Sequence, residues 1–469
     1  MKRYLILLFC VTGCNLAPRY ETPEVAIPTT WRVLGEDMLA SANLSWWQQL
    51  GDATLDALIQ EGIDHNKDIQ IAAWRVREYF ANYQIALSAF FPQVSASGNA
   101  LKERLAIDAD FLPPGFSAIT PDYNLKTSVS FEFDFWCKTK NASSSAFLHY
   151  LAEIENRRIV VLSLVASIVQ SYVVLRELDA KLELASCIVQ SKCQALELAT
   201  MLWQGGETSQ LEVEQARSLY EESLASLHKL QEMVPKQENY LSLLLGRPPG
   251  SIERGKTLSA LHLQQDIPIG TPADLLVQRP DIRKAEELLR AACANIGVAR
   301  AAFFPQINLG ALYGADNLQL YKLFHKESEI WMLGGSFLQT LFSGGALLGQ
   351  VRMTEAQQKE LLFSYEQTVL TALKEVNDDL IGLAETKKIL QDKTEQVDAL
   401  RTFAELIGDR YLQGQADYQS VLAAKTRLFT AQEDLAHAQA EPFLMLVELY
   451  KALGGGWVIE EDQKIHIEE

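Results

Sequence analysis

Ala81-Asn82-Tyr83-Gln84-Ile85-Ala86-Leu87-Ser88-Ala89-Phe90-Phe91-Pro92-Gln93 recurs in the same chain as Ala294-Asn295-Ile296-Gly297-Val298-Ala299-Arg300-Ala301-Ala302-Phe303-Phe304-Pro305-Gln306, with eight of thirteen positions identical. Two more landmarks keep this order: Gly206 answers to Gly414, and Leu245-Gly246 to Leu453-Gly454, each 208 residues apart. One structural unit is therefore built twice. Neither copy buries its apolar face alone, so the two stand side by side in one wall. A chain of 469 residues would otherwise suggest about three domains.

Working outward from the repeat, each copy is followed by a strand pair. Val129, Phe131, Phe133 and Phe135 alternate with Ser128, Ser130, Glu132 and Asp134, so residues 127–136 read as a strand with one apolar and one acidic face. Its partner is expected over 93–101. Residues 306–313 and 330–341 repeat the pair, with Tyr313 and Trp331 suited to a membrane interface. A wall between lipid and water fits this pattern, and so does a soluble sandwich. Four strands cannot close a membrane barrel, because an open edge in lipid leaves backbone groups unpaired at several kilocalories per mole each. If the wall lies in a membrane, several chains must share it.

The first repeat copy closes a helical stretch expected from about 54 to 89, which must stop before Pro92. Residues 139–203 and 346–412 contain no proline and hardly a glycine. Each can form a helix of roughly 100 Å. Leu362, Tyr365, Val369, Leu373, Val376, Leu380 and Leu383 step by three and four, as in a coiled-coil seam. Each rod ends at a glycine turn, and a shorter helix returns to Gly246 or Gly454. Each half is thus a strand pair plus a long helical hairpin. Between the halves, Arg279-Pro280-Asp281 opens a helix, with Pro280 in the first turn and Asp281 at its positive end. That role is structural.

The ends carry different information. Met1-Lys2-Arg3, an apolar run to Val11 and then Val11-Thr12-Gly13-Cys14 have the parts of an export signal, too short to span a membrane. The tetrad resembles a bacterial lipobox, which implies a diacylglyceryl group on Cys14 and cleavage before it. The alternative is an ordinary cleaved signal with a chance cysteine. Asn15 lacks the acid expected for inner-membrane retention, so the outer membrane is favoured. Cys137, Cys187, Cys193 and Cys293 have no metal-binding spacing and read as small packing residues. Net charge is −18, which opposes binding to nucleic acid. No nucleophile–base set, phosphate loop or metal motif is visible, so neither catalysis nor a cofactor is expected beyond the covalent lipid.

Arg279-Pro280-Asp281-Ile282, the run from Ala294 to Gln306, Leu341-Phe342-Ser343-Gly344-Gly345, Arg410-Tyr411 with Gly414, and Leu449 to Trp457 together resemble the TolC-like outer-membrane efflux family. The lipobox places the chain near its lipoprotein (OprM-type) branch. Thr340 stands where the family often has proline. The resemblance implies a mainly α fold with a small β part. Three chains would each give four strands to a shared barrel in the outer membrane and their hairpins to an α-helical tunnel across the periplasm. It implies passive export, with a periplasmic adaptor and an inner-membrane pump as partners and the membrane lipid as surroundings. A trimeric coiled-coil surface fibre or adhesin is the rival reading. The implied segments are a signal peptide (1–13), a lipidated tether (14–53), a first repeat (54–246), a linker (247–271), a second repeat (272–457) and an acidic tail (458–469).

The hairpin tips at Gly206 and Gly414 would face the adaptor and form the closed end. An aspartate ring contributes to closure in related channels, at the position aligned with Ala423; here the acid is missing. Gln419 lies one turn earlier, and Asp417 is the nearest carboxylate. Leu211 and Gln215 are their counterparts in the first half. These residues act either in the gate or as ordinary hairpin surface.

Overall fold

The computed structural model describes residues 14–32, 46–104, 119–261 and 271–455. The signal peptide, the acidic tail and part of the linker lie outside them. The elements run α1 (Ala53–His65), α2 (Lys67–Ser88), β1 (Gln93–Arg104), β2 (Ile119–Phe133), α3 (Lys138–Gln204) and α4 (Gln210–Leu244), then a second round. That round is α5 (Leu275–Gln278), α6 (Pro280–Ala301), β3 (Gln306–Asn317), β4 (Glu329–Leu338), α7 (Ala346–Leu412) and α8 (Tyr418–Ala452). The chain divides into two compact units: residues up to 23 with 75–153 and 284–365 form the first, and 24–74, 154–283 and 366 onward the second.

The duplication holds down to single caps. Both rods end in the same turn: Gly206 at φ 78° lets the Glu207 N–H reach Leu202 O at 2.9 Å, and Gly414 at φ 71° lets Gln415 reach Arg410 O at 2.8 Å. A left-handed glycine that returns the chain in this way closes a helix while satisfying its last carbonyls.

The expected helical stretch up to residue 89 is made of two helices. Asn66 adopts φ −60°, ψ 135° between α1 and α2. Its Oδ1 accepts from the N–H groups of Asp68 and Ile69, and its Nδ2 donates to Leu244 O at 2.8 Å. One amide thus caps the start of α2 and the end of α4. In the second repeat two side chains share these tasks. Arg279 donates to Ala452 O at 2.8 Å at the end of α8, while Asp281 Oδ1 accepts from the Ile282 N–H.

In the second unit, the middle of α3 is buried on nearly all sides by Leu162, Val165, Ile168, Val169, Tyr172 and Leu175. This helix contains a window of mean hydropathy 2.0, long enough to cross a membrane, yet 61% of that window is buried inside the protein. Its apolarity is that of a core. Trp46 stacks on Tyr450 with centroids 4.8 Å apart. Asp52, 2% exposed, caps α1 through Thr54 and also accepts from Tyr172 Oη and the Lys256 N–H. Burial and Asp52 push the Tyr172 phenol up to about 12. Six of the seven seam residues named on α7 are buried; Leu362 is half-buried. Cys137 and Cys293 are packing residues as expected, whereas Cys187 is exposed.

In the first unit the four strands form one antiparallel sheet in the order β1-β2-β3-β4. The strands extend beyond the expected 93–101 and 306–313, and β2 begins at Ile119 instead of 127 and ends at Phe133. Asp134 has left the sheet, contrary to its expected place on the acidic face. Its carboxylate accepts from the N–H groups of Thr139 and Lys140 and so caps α3. Phe135 falls outside the strand for the same reason.

Candidate functional site: a two-faced wall, an anchored strap and hairpin tips

Opposed residues in an antiparallel ladder share a face, so the register sorts the sheet into rows. Val94, Val129, Ala311 and Leu333 form one row, and Phe133, Ile307 and Phe337 another. On the same face Ala96, Thr127, Tyr313 and Trp331 are aligned, the last two directly opposite. Tyr313 and Trp331 are 62% and 75% exposed. The expected aromatic belt is therefore a cross-strand pair.

The other face carries Ser95 and Ser128, hydrogen-bonded at 2.8 Å, Asn308 opposite Glu132 and Ser336, and an ion pair from Lys126 to Asp316 at 2.9 Å. Leu312 and Met332 interrupt its polarity. Gly314 is required where β2 and β3 approach, because a Cβ there would lie 2.2 Å from Leu125 O. β1 and β4 each pair on one side only. A sheet with one apolar face, one polar face and two open edges has the form of a segment of a barrel wall.

The strap after Cys14 is held in the first unit. Asn15 Oδ1 accepts from Asn141 Nδ2 at 2.9 Å in the first turn of α3, and Leu16 O accepts from Arg300. The strap passes Gly297, where a Cβ would meet Ala17 Cβ at 2.7 Å. Tyr20 Oη donates to Glu286 at 3.0 Å, and the Arg290 guanidinium lies 5.6 Å from the Tyr20 ring centroid. Burial and the Glu286 charge push the Tyr20 phenol well above its ordinary range. Cys14 itself is exposed.

At the tips, Gly206, Leu211, Gln215, Gly414, Asp417, Gln419 and Ala423 are all exposed. Asp417 is the N-cap of α8: its carboxylate accepts from the Ser420 N–H at 2.9 Å, and hydrogen bonding from Ser420, side chain first and backbone second, holds it below the usual carboxylate range. Sequence reasoning missed a ring pair across the turn, Tyr411 against Tyr418 at 5.4 Å. Trp203 and Gln210 stand at the equivalent positions of the first repeat, so the pair belongs to one hairpin only.

A cavity of about 250 Å³ in the second unit lies between α3, α6, α7 and α8. Arg279 spans its wall, bonded to Asp281 at 2.7 Å and Glu375 at 2.8 Å. Glu448 accepts from Gln170 at 2.6 Å. Asp379 is raised to about 6 by burial, then by Glu448, Glu375 and Asp378, against a partial offset from Lys451. A carboxyl bound more tightly to its proton in the fold costs nothing below its unfolded value of 3.8 and the full amount above about 6. Asp379→Asn should therefore raise stability at pH 7.5 by about 1–2 kcal/mol, once solvent screening of this half-buried group is allowed for. The gain should shrink as pH falls from 6 to 4. Denaturant midpoints of both proteins across that range check it; a constant gain would place the cause outside this charge.

With the two-faced sheet and the paired hairpins in hand, the class of molecule is a membrane-wall protein with a transport architecture. The chain belongs to the outer membrane efflux protein family, whose model matches residues 58–247 and 271–455. It is 32% identical over 466 residues to the solvent efflux pump outer membrane protein SrpC of Pseudomonas putida, covering 98% of each chain. It is 30% identical to the cation efflux system protein CusC of Escherichia coli, over 96% of this chain and 98% of that one. Among solved structures, the open state of the Neisseria gonorrhoeae MtrE outer membrane channel superposes with a TM-score of 0.81 at 26% identity, covering 94% and 98%. The protein is a transport protein of the outer membrane, and these matches lend no support to a surface fibre or adhesin.

Proposed function

We propose that three copies of this chain form a passive outer-membrane conduit that receives its cargo from an inner-membrane pump through a periplasmic adaptor. The observation that carries this reading is the sheet: four strands, apolar on one face and polar on the other, with β1 and β4 open. Joining β4 of one copy to β1 of the next removes every edge and gives twelve strands, the even number that a sealed barrel of this kind takes. The polar face then lines the water path, and the Lys126–Asp316 pair sits in that path. The paired hairpins of α3–α4 and α7–α8 supply the periplasmic tunnel, with the exposed tips at Gly206 and Gly414 as the adaptor-facing end. Closure at that end uses packing and polar contacts near Gln419 and Ala423, because Asp417 is committed to capping α8. Mass measurement in mild detergent should give three chains per particle, and a stable monomer would overturn the proposal.

Cys14 is the lipid attachment site in this reading. Asn15 is bonded to Asn141 in the first turn of α3, a helix that begins after a four-residue loop from the end of β2. On this assignment the sulfur lies near the periplasmic rim of the wall, where acyl chains enter the inner leaflet. Several chains anchor far more firmly than one. Cys14→Ser should abolish incorporation of labelled fatty acid while the barrel still fractionates with the outer membrane. Labelling equal to wild type would remove Cys14 from this role.

A further inference from the structure

The turn between β3 and β4 is a built structure, not a slack loop. Leu323 is 6% exposed and Ser328 1%. Ser328 Oγ donates to Lys322 O at 2.8 Å and accepts from Asn317 Nδ2 at 2.7 Å, which ties the two ends of the turn together. Around this knot four large apolar side chains stand in the open: Leu318 at 55%, Leu320 at 60%, Tyr321 at 73% and Phe324 at 80%. Exposed apolar surface held by a rigid frame marks a contact surface.

The register says where this surface lies. The apolar rows of β3 and β4 end at the Tyr313–Trp331 pair, two residues below the last rung, Ala315 opposite Glu329. Such girdles mark the boundary between hydrocarbon and headgroups. The turn continues from that boundary, on the side away from the helices that follow Leu338 and precede Gln306. It therefore sits at the headgroup level of the outer leaflet, as a continuation of the lipid-facing surface. Lys322 and Lys326 are exposed there beside His325; Glu327 and Glu329 are the neighbouring acids. Lys322 Nζ lies 5.6 Å from the Tyr321 ring centroid. Aromatic rings with ammonium groups beside them suit a phosphorylated headgroup above acyl chains.

We propose that this turn docks phosphorylated glycolipid of the outer leaflet, with Leu320, Tyr321 and Phe324 against its apolar part and Lys322 and Lys326 on its phosphates. The proposal rests on the barrel reading above. The probe is bisphosphorylated lipid A and the same lipid with its phosphates removed, titrated onto the full-length protein purified in detergent. Particle mass and bilayer conductance are recorded alongside. Wild type should bind the phosphorylated form at least fivefold more tightly than the dephosphorylated one. Lys322→Gln with Lys326→Gln should erase that preference, and Tyr321→Ser with Phe324→Ser should weaken both forms together. Unchanged preference in the lysine variant overturns the proposal. So does loss of the trimer in the aromatic variant at unchanged lipid affinity, which would assign the patch to a second copy. A wild type that neither trimerises nor conducts would refute the barrel reading itself.

Discussion

Leu333→Arg should destroy assembly of the protein, while Ser336→Arg leaves it nearly intact. Leu333 lies on β4, 77% exposed, in the apolar row with Val94, Val129 and Ala311. Ser336 stands on the opposite face, across from Asn308. An arginine facing lipid in a membrane barrel costs about 2–4 kcal/mol at mid-depth and less toward the interface, and one facing the aqueous lumen costs far less. Leu333 lies two residues inside the Trp331 boundary, so about 1–3 kcal/mol per copy is expected here. With three copies the penalty is met three times in one particle. The check is the yield of folded, membrane-inserted particles after refolding into vesicles, followed by urea unfolding. Equal losses from both substitutions would mean that the sheet does not separate lipid from water.

Arg279→Ala should be the most damaging single change in the second unit. Arg279 is 7% exposed, and its guanidinium bridges Asp281, Glu375 and the last carbonyl of α8 at Ala452. Those partners hold its pKa up despite burial. Removing one member of a buried ion pair typically costs about 3–5 kcal/mol. Asp281 and Glu375 keep 33% and 43% of their side-chain surface exposed, so solvent screening brings the expected loss here to about 2–3 kcal/mol. Here the orphans are two carboxylates beside Glu448 and Asp379, which already repel one another. Losing the cation leaves the raised Asp379 carboxyl facing the same acids with less positive charge nearby, so the deficit should be largest at neutral pH and smaller toward pH 5. Arg279→Lys keeps the charge without the planar fork and should recover part of the loss. Thermal melts at pH 5 and pH 7.5 decide it, and a deficit of under about 1 kcal/mol would contradict this role.

How much of this was legible beforehand follows from the physics of each element. The rods were plain, because a run without proline or glycine has few alternatives and a left-handed glycine ends it; α7 runs from Ala346 to Leu412 as the sequence indicates. Strand existence was plain from alternation, but the start of β2 was not. Pro121 and Asn124 are residue types that strands disfavour, yet Pro121 pairs only with Lys102 of β1, since the ladder to β3 begins at Tyr123. A proline is tolerated where one side of a strand has no ladder to lose. Asp134 looked like a wall residue by period and is a cap by geometry, two uses of one carboxylate that alternation cannot separate.

The break at Asn66 left a signal in the sequence, an asparagine with an acid two positions on. Its second bond, to Leu244 across 178 residues, left none. The tips were located by their glycines. In the three-chain reading proposed above, what the exposed Leu211, Gln215, Gln419 and Ala423 do depends on surfaces that neighbouring copies would bring together, which residue spacing along one chain does not give. Pro235 and Pro442 lie inside α4 and α8, a case in which tertiary packing overrides the rule that stops the chain at Pro92.

The central claim is that this chain conducts as an assembly of three. The most direct test is current through a planar bilayer after addition of the purified, mass-verified particle. Discrete, reproducible single-channel steps should appear with the three-chain species, and Leu333→Arg protein should give none. Absence of steps from a particle shown to be folded, three-chained and inserted would contradict the account.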